Sequence, residues 1–166
     1  MQDFPVRCFC GANLLLSERH LDDCYQSARY FLRKQQRSTG VSDSELIHIA
    51  ITSMGLDQLS EFDPNKKIIE YAMEDDSTKR LVNLTVKEFV EETASESPAP
   101  GGGSIAATMG AMGAALATMV ANLSAHKRGW DERWEEFSDW AEKGKQYHSR
   151  LVSLIDEDTD AFNELM

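Results

Sequence analysis

The sequence predicts a mainly all-α protein, a helical bundle that follows a small α/β segment near the N-terminus. Apolar residues recur at helical spacing over 105–125 and 130–166, which together make up most of the C-terminal half. Capping boxes of the Ser/Thr-x-x-Glu type open two shorter helices, at Ser42 and Thr85. One β-branched run predicts a single short strand.

The predicted elements fall into three regions. Residues 1–27 are unassigned and of low order, residues 28–80 end in a charged linker, and residues 81–166 form the bundle. Gly55 ends the helix that Ser42 opens. In chain order the elements are helices over 17–36 and 42–55, a strand over 67–71, the linker over 74–80, and helices over 85–93, 105–125 and 130–166.

Composition and charge narrow the function classes. The 166-residue chain carries a net charge of −11, which argues against nucleic-acid binding because phosphates require Lys and Arg. The N-terminus lacks the basic start and apolar core of a secretory signal, and three cysteines cannot all pair internally. We therefore expect a cytoplasmic protein.

The stretch 94–125, in which Glu96 is the one charged residue, is long enough to raise the question of a membrane span. Ala and Gly dominate it, and Thr, Asn and Ser interrupt its apolar surface, whereas membrane insertion favours larger apolar residues. A helix buried inside a soluble bundle is the favoured interpretation, with no membrane partner.

A structural zinc site could be drawn from Cys8, Cys10, His20 and Cys24. The single residue between Cys8 and Cys10 is a tighter spacing than the two to four residues of zinc motifs. We therefore expect no metal at these residues, and thiols without a role.

The most distinctive local feature is the run Pro98-Ala-Pro-Gly-Gly-Gly-Ser104, directly before the small-residue helix. Its prolines end any preceding helix, and its glycines leave backbone amides uncovered. Ser104 is predicted to cap the helix that begins at Ile105. The free amides and dipole of a helix N-terminus suit an anionic ligand. A tight loop that only lets helices pack closely is an equal alternative.

The helix over 130–166 supplies a candidate acid/base group. Asp158 falls inside its apolar stripe, between Leu154 and Phe162, whereas Asp156 falls on the far side. A carboxylate on a buried face needs a partner or a proton, and burial raises its pKa toward the range useful for proton transfer. The alternative is a structural aspartate that caps a neighbouring helix or pairs with Lys127 or Arg128.

Two further features of the small-residue helix bear on binding. Gly110 and Gly113 leave little side-chain bulk, so the helix suits the centre of a bundle or an interface between copies. Lys127, just after this helix, is a candidate for holding an anion, although cations are also common at helix C-termini because of the dipole.

Three stretches carry a family resemblance: Leu84-Thr-Val-Lys-Glu-Phe-Val-Glu-Glu-Thr-Ala-Ser95, Pro98-Ala-Pro-Gly-Gly-Gly-Ser-Ile-Ala-Ala107 and Leu154-Ile-Asp-Glu-Asp-Thr-Asp-Ala-Phe-Asn163. They resemble the all-helical cyclodeaminase domain of bifunctional formiminotransferase-cyclodeaminases, which also occurs alone in methenyltetrahydrofolate cyclohydrolases. The resemblance covers about 81–166. Residues 28–74 resemble the C-terminal end of the formiminotransferase domain, so 28–80 is expected to be its remnant plus a linker.

The resemblance implies a reaction of histidine breakdown and one-carbon metabolism, an ammonia-lyase step. The family closes 5-formimino-tetrahydrofolate to 5,10-methenyl-tetrahydrofolate and releases ammonia. One positioned acid/base residue serves this chemistry, and the resemblance places it within 156–162, with Asp158 as first choice and Asp156 as second. No bound cofactor is implied, because the tetrahydrofolate derivative is the substrate. The residues expected around it are Gly101, Gly102, Gly103 and Ser104 as a wall of the folate site, with Lys127 at the glutamate tail.

The resemblance also implies that the family domain continues beyond residue 166. About half of the bundle is therefore expected to be absent here, with copies associating as a dimer or higher oligomer to cover its apolar faces. Formiminotransfer is not expected, since the resembling segment lacks that domain's catalytic histidine. Two alternatives stay open, a methenyltetrahydrofolate cyclohydrolase and a non-enzymatic helical module that dimerises through the face of Gly110 and Gly113.

Overall fold

The computed structural model describes residues 19–58, 61–73 and 80–165. Within these ranges the chain is mainly helical and forms no strand, so the mainly all-α class is confirmed. Most of the predicted low-order segment 1–27 lies outside the described residues, and the first helix begins at its end. The helices are α1 (Leu21–Lys34), α2 (Asp43–Met54), α3 (Pro64–Lys67), α4 (Ile69–Ala72), α5 (Val86–Thr93), α6 (Gly102–Ala125) and α7 (Trp134–Leu165), with 3-10 turns at Leu81–Asn83 and Asp131–Arg133.

Local signals place the short helices where the sequence predicted them. The Ser42 hydroxyl accepts a hydrogen bond from the Glu45 N–H at 3.3 Å, and Gly55 ends α2 in the left-handed conformation at φ 65°. Thr85 and Glu88 form a complete capping box at the start of α5. The helices α1 and α2 then pack on one another around a common core of Cys24, Ala28, Leu32, Leu46, Ile47, Ala50 and Ile68.

The strand predicted over 67–71 is wrong. Asp63 caps the turn that Pro64 opens, so α3 runs to Lys67 and α4 restarts at Ile69. Between them Ile68 makes an isolated parallel bridge with Arg19, whose N–H donates to the Lys67 carbonyl at 2.8 Å. Extended pairing is limited to this bridge, and the described part of the α/β segment is therefore helical.

The helices α6 and α7 form an antiparallel hairpin, because residues at the start of α6 contact the end of α7. Small residues line the contact and let the two backbones approach closely. Gly144 illustrates the fit, since a Cβ there would overlap the Thr118 hydroxyl. The buried residues of the hairpin are Ser104, Ala107, Ala111, Thr118 and Ala125 on α6 and Ser138, Ala141 and Ile155 on α7.

The face of α6 that points away from α7 is exposed to solvent. Large apolar side chains spaced by three and four residues are 49–66% exposed there, namely Met109, Met112, Leu116, Met119 and Leu123. We call these five residues the outer face of α6. Within the described residues α6 is also the one helix whose length and composition would let it cross a membrane. The expectation that this helix is buried in a bundle is therefore wrong for its outer face, because among the described residues α7 and the segment 38–40 pack against the other side of α6.

The segment 38–40 does more than end α1. Ser38 and Thr39 are buried against the hairpin, where the Thr39 N–H donates to Ser138 Oγ at 3.0 Å. Asn122 Nδ2 donates to the Gly40 carbonyl at 2.9 Å. A Cβ on Gly40 would lie 2.5 Å from the Ala141 backbone. This segment therefore fastens the α1–α2 unit onto α6 and α7.

Candidate functional site

The glycine run starts α6 earlier than the sequence predicted. Gly101 is the N-cap in extended conformation, with no side chain to cap the helix, and Gly102 is the first helical residue. Ser104 is therefore the third residue of the helix, fully buried, so its predicted role as the cap is wrong. The small glycines let the helix begin before the serine, and its free amides need an acceptor from elsewhere.

Asp158 of α7 provides that acceptor. Its Oδ2 accepts hydrogen bonds from the Ser104 N–H at 2.9 Å and from the Ser104 hydroxyl at 3.1 Å. Among the described residues no donor reaches Oδ1. The side chain is exposed rather than buried, so the argument that burial tunes this carboxylate is wrong. The capping role that the sequence left open is present, with one carboxylate oxygen held and the other open.

The Ser104 hydroxyl is the most connected group at this site. Besides Asp158, it lies 2.9 Å from the Ile155 carbonyl oxygen and 3.3 Å from Thr159 Oγ1. Sequence reasoning missed Ile155 and Thr159 as neighbours of the site. Their spacing from Asp158 would have shown only that they share its side of α7.

The three glycines are not equivalent. A Cβ on Gly103 would overlap the Asp158 carboxylate, so only glycine lets the carboxylate reach the helix end. A Cβ on Gly101 would lie 3.7 Å from Asp158 Oδ2, an ordinary contact, and one on Gly102 would meet nothing within 4 Å. Gly103 is thus the position at which the glycine run determines the site.

An open cavity of about 520 Å³ adjoins the carboxylate. Its walls are mostly apolar, and its lining residues are Gly103, Ala106, Ala107, Leu151, Leu154, Glu157 and Asp158. The second carboxylate, Glu157, is paired with Arg150, and this hydrogen bond holds the pKa of Glu157 below its usual range. The cavity therefore offers an apolar surface for a flat ring beside one uncommitted carboxylate oxygen.

Asp156 belongs to a different place. Its Oδ1 accepts a hydrogen bond from the Leu81 N–H at 2.8 Å, which anchors the 3-10 turn to α7. It lines a neighbouring groove with Arg80 and Asp160. The structure therefore separates the second-choice aspartate from the cavity of Asp158.

Lys127 also lies away from the cavity. It follows the C-terminal end of α6, roughly 36 Å from the glycine run at 1.5 Å per residue. Its ammonium group sits 4.5 Å from the centre of the Trp130 ring, a cation–π contact. Within one chain the structure does not bring Lys127 to the glycines, Ser104 and Asp158.

The residues of the hypothetical zinc site are not assembled either. Cys8 and Cys10 lie outside the described residues. Cys24 is buried in the α1–α2 core, where burial raises the pKa of its thiol, and His20 bonds Glu70 at 3.2 Å. Across residues 19–58, 61–73 and 80–165 no group of three His, Cys, Asp or Glu side chains is arranged to hold a metal ion.

Comparison with known proteins decides the family. A model described as Formiminotransferase-cyclodeaminase matches residues 85–166, and a model of the formiminotransferase domain matches residues 16–74. The chain belongs to the formiminotransferase-cyclodeaminase family. This family is enzymatic.

Individual relatives agree with the family models. The formimidoyltransferase-cyclodeaminase of Rattus norvegicus is 35% identical over 123 residues, which are 74% of this chain and 23% of the relative. That of Gallus gallus is 33% identical over 141 residues, 84% of this chain and 26% of the relative. A methenyltetrahydrofolate cyclohydrolase of Methylorubrum extorquens is 39% identical over 84 residues, 51% of this chain and 40% of the relative. The chain thus spans about a quarter of the formimidoyltransferase-cyclodeaminases that it matches.

Proposed function

We propose that this chain carries the site of a formimidoyltetrahydrofolate cyclodeaminase, an ammonia-lyase of histidine degradation and one-carbon metabolism. The observation that carries the proposal is the asymmetric Asp158 carboxylate. Ser104 holds Oδ2, while Oδ1 is open beside an apolar cavity. A tetrahydrofolate derivative supplies both a flat ring for the apolar wall and a nitrogen that must exchange a proton.

The proposed reaction balances with one acid/base group. Folate N10 attacks the carbon of the formimino group, which enters protonated as an amidinium, so an N10–C bond forms and N10 gives its proton to Oδ1 of Asp158. The same oxygen then gives this proton to the formimino nitrogen, which is now an amine, the C–N bond breaks, ammonia leaves, and the electron pair of N5 completes the methenyl cation. The carboxylate is regenerated at the end of the cycle, as general acid–base catalysis requires. Ser104 keeps the carboxylate oriented throughout.

Substrate choice tests the proposal directly. The purified chain is given 5-formimino-tetrahydrofolate, and methenyl absorbance and ammonia are followed together. We expect equal amounts of the two products. A chain that consumes supplied 5,10-methenyl-tetrahydrofolate but not the formimino substrate would instead be a cyclohydrolase, the alternative favoured by the similarity to the Methylorubrum extorquens protein.

We further propose that copies of the chain associate through the outer face of α6. Five exposed apolar side chains at helical spacing form a larger continuous surface than a solvated helix requires. Leu116→Glu or Gly113→Leu should therefore lower the sedimentation coefficient, whereas Val86→Glu on exposed α5 should leave it unchanged. Unaltered sedimentation of both α6 variants would exclude this surface. A folded dimer without turnover of either folate would support the non-enzymatic module.

The proposal also covers the role of the folate, the cellular location and the nucleic-acid question. The folate is a substrate with its glutamate tail rather than a bound cofactor, and the enzyme works in the cytoplasm. The acidic charge of the chain supports the absence of a nucleic-acid partner.

A further inference from the structure

The Ser104 hydroxyl has more acceptors than protons. It has a single hydrogen to donate, yet the Ile155 carbonyl lies 2.9 Å away and Asp158 Oδ2 lies 3.1 Å away. Ser104 is fully buried, so water does not supply alternative partners to this oxygen. Thr159 Oγ1, 3.3 Å away, can itself donate to the Ser104 oxygen, so the two neighbours that only accept the hydroxyl proton are the carboxylate and the backbone carbonyl of α7.

We propose that Ser104 is a positioning residue whose hydroxyl turns between these two acceptors as Asp158 gains and loses its proton. This inference rests on the proposed function of Asp158. When Asp158 is ionised, the hydroxyl and the Ser104 N–H both donate to Oδ2. When Oδ1 takes a proton, Oδ2 becomes a weaker acceptor, and the hydroxyl turns to the Ile155 carbonyl. Each protonation state thus keeps its buried polar groups satisfied.

The arrangement also selects which carboxylate oxygen reacts. The Ser104 N–H cannot turn, so Oδ2 keeps a donor in both states. A proton on Oδ2 would compete with that donor, whereas Oδ1 meets none within the described residues. Proton exchange is therefore directed to Oδ1 of Asp158, a residue that lines the cavity.

The charged groups around the carboxylate are few. The helix α6 contains no titratable side chain. On α7, Glu157 lines the same cavity and is paired with Arg150. In the adjoining groove Asp156 accepts a hydrogen bond from the Leu81 N–H, and Asp160 and Arg80 are the other charged residues of the lining besides Glu157. The Ser104 hydroxyl is a neutral side-chain donor to Asp158, so its removal leaves these charges in place.

The test is the titration of the Asp158 side chain, followed by carboxyl ¹³C NMR in the full chain and assigned with Asp158→Asn. In Ser104→Ala the ionised carboxylate loses one of its two donors, so its titration midpoint should move to higher pH than in the wild type. Ser149→Ala, at an exposed position of α7, should leave the midpoint unchanged. Equal midpoints in wild type and Ser104→Ala would overturn the inference.

Two further measurements distinguish the proposed role of Ser104 from a folding defect and from a failure of the proposed function. If Ser104→Ala does not fold by circular dichroism, Ser104→Cys retains a weak donor of similar size and should give a smaller shift in the same direction. In the formimino assay the acid limb of the kcat/KM profile should move with the NMR midpoint. A chain without turnover would refute the proposed function, while the NMR titration would still decide the role of Ser104.

Discussion

Substitution of Gly103 by alanine should detach Asp158 from the end of α6. The added Cβ would overlap the carboxylate, which must rotate away and lose its hydrogen bonds to Ser104. Gly102→Ala is the matched control, since a Cβ there meets nothing within 4 Å. Both residues lie in the first turn of the same helix, so alanine improves helix propensity similarly at both positions.

The difference in free energy of unfolding between the two variants measures the contribution of the hydrogen bonds between Ser104 and Asp158 to stability. A hydrogen bond to a charged group contributes about 1.5–3 kcal/mol, and the exposure of Asp158 places it at the lower end. We therefore expect Gly103→Ala to have a free energy of unfolding about 1.5 kcal/mol below that of Gly102→Ala. The backbone need not move, because a short side chain can rotate aside.

Urea unfolding followed by far-UV circular dichroism measures this difference. In an Asp158→Ala background the carboxylate is gone, and the two alanine variants should become equally stable, which closes a double-mutant cycle. If Gly103→Ala were as stable as Gly102→Ala in the otherwise wild-type chain, the described contact between the glycine run and Asp158 would be refuted.

Two other predictions concern stability elsewhere. Gly40→Ala should lower the free energy of unfolding in urea by about 1–3 kcal/mol, because its Cβ would lie 2.5 Å from the Ala141 backbone. Gly113→Ala is the control, since a Cβ there has nothing within 4 Å, and it should be neutral or stabilising. Equal stability of the two variants would exclude the close docking of segment 38–40. The hydrogen bond from Thr85 lowers the pKa of Glu88, so this residue stabilises the fold above its unfolded pKa and the gain is lost as pH falls through the folded pKa. Glu88→Gln should accordingly show a weaker loss of stability between about pH 6 and about pH 3 than wild type, and an unchanged pH dependence would contradict the capping box.

Local signals in the sequence predicted local structure well. The capping residues Ser42 and Thr85 and the stop at Gly55 act through backbone atoms within one helical turn, so a single sequence contains all of their partners. The start of α6 shows the limit of such signals. Ser104 has the ideal chemistry for a cap, but its side chain bonds α7, and a distant aspartate caps the helix instead.

Long-range contacts account for the other differences. The run at 67–71 has the composition of a strand, yet among the described residues its strand-like pairing is limited to the bridge from Ile68 to Arg19, a contact that local propensity does not encode. Thr39 forms a hydrogen bond with Ser138, which lies about a hundred residues later in the sequence, and no local pattern predicts this contact. Helical periodicity placed Asp158 in the apolar stripe of its helix, but in the structure the side chain bonds Ser104 of α6 while it stays exposed to solvent.

The central claim is that Asp158 exchanges the proton in cyclodeamination, and its amide variant tests the claim most directly. Asp158→Asn retains a carbonyl acceptor for the Ser104 N–H but no longer takes or gives a proton. Asp160→Asn, in the neighbouring groove, is the matched control. We predict that kcat/KM for 5-formimino-tetrahydrofolate falls about 10²- to 10⁴-fold in Asp158→Asn and stays near wild type in Asp160→Asn. A folded Asp158→Asn variant with the wild-type rate would contradict the account.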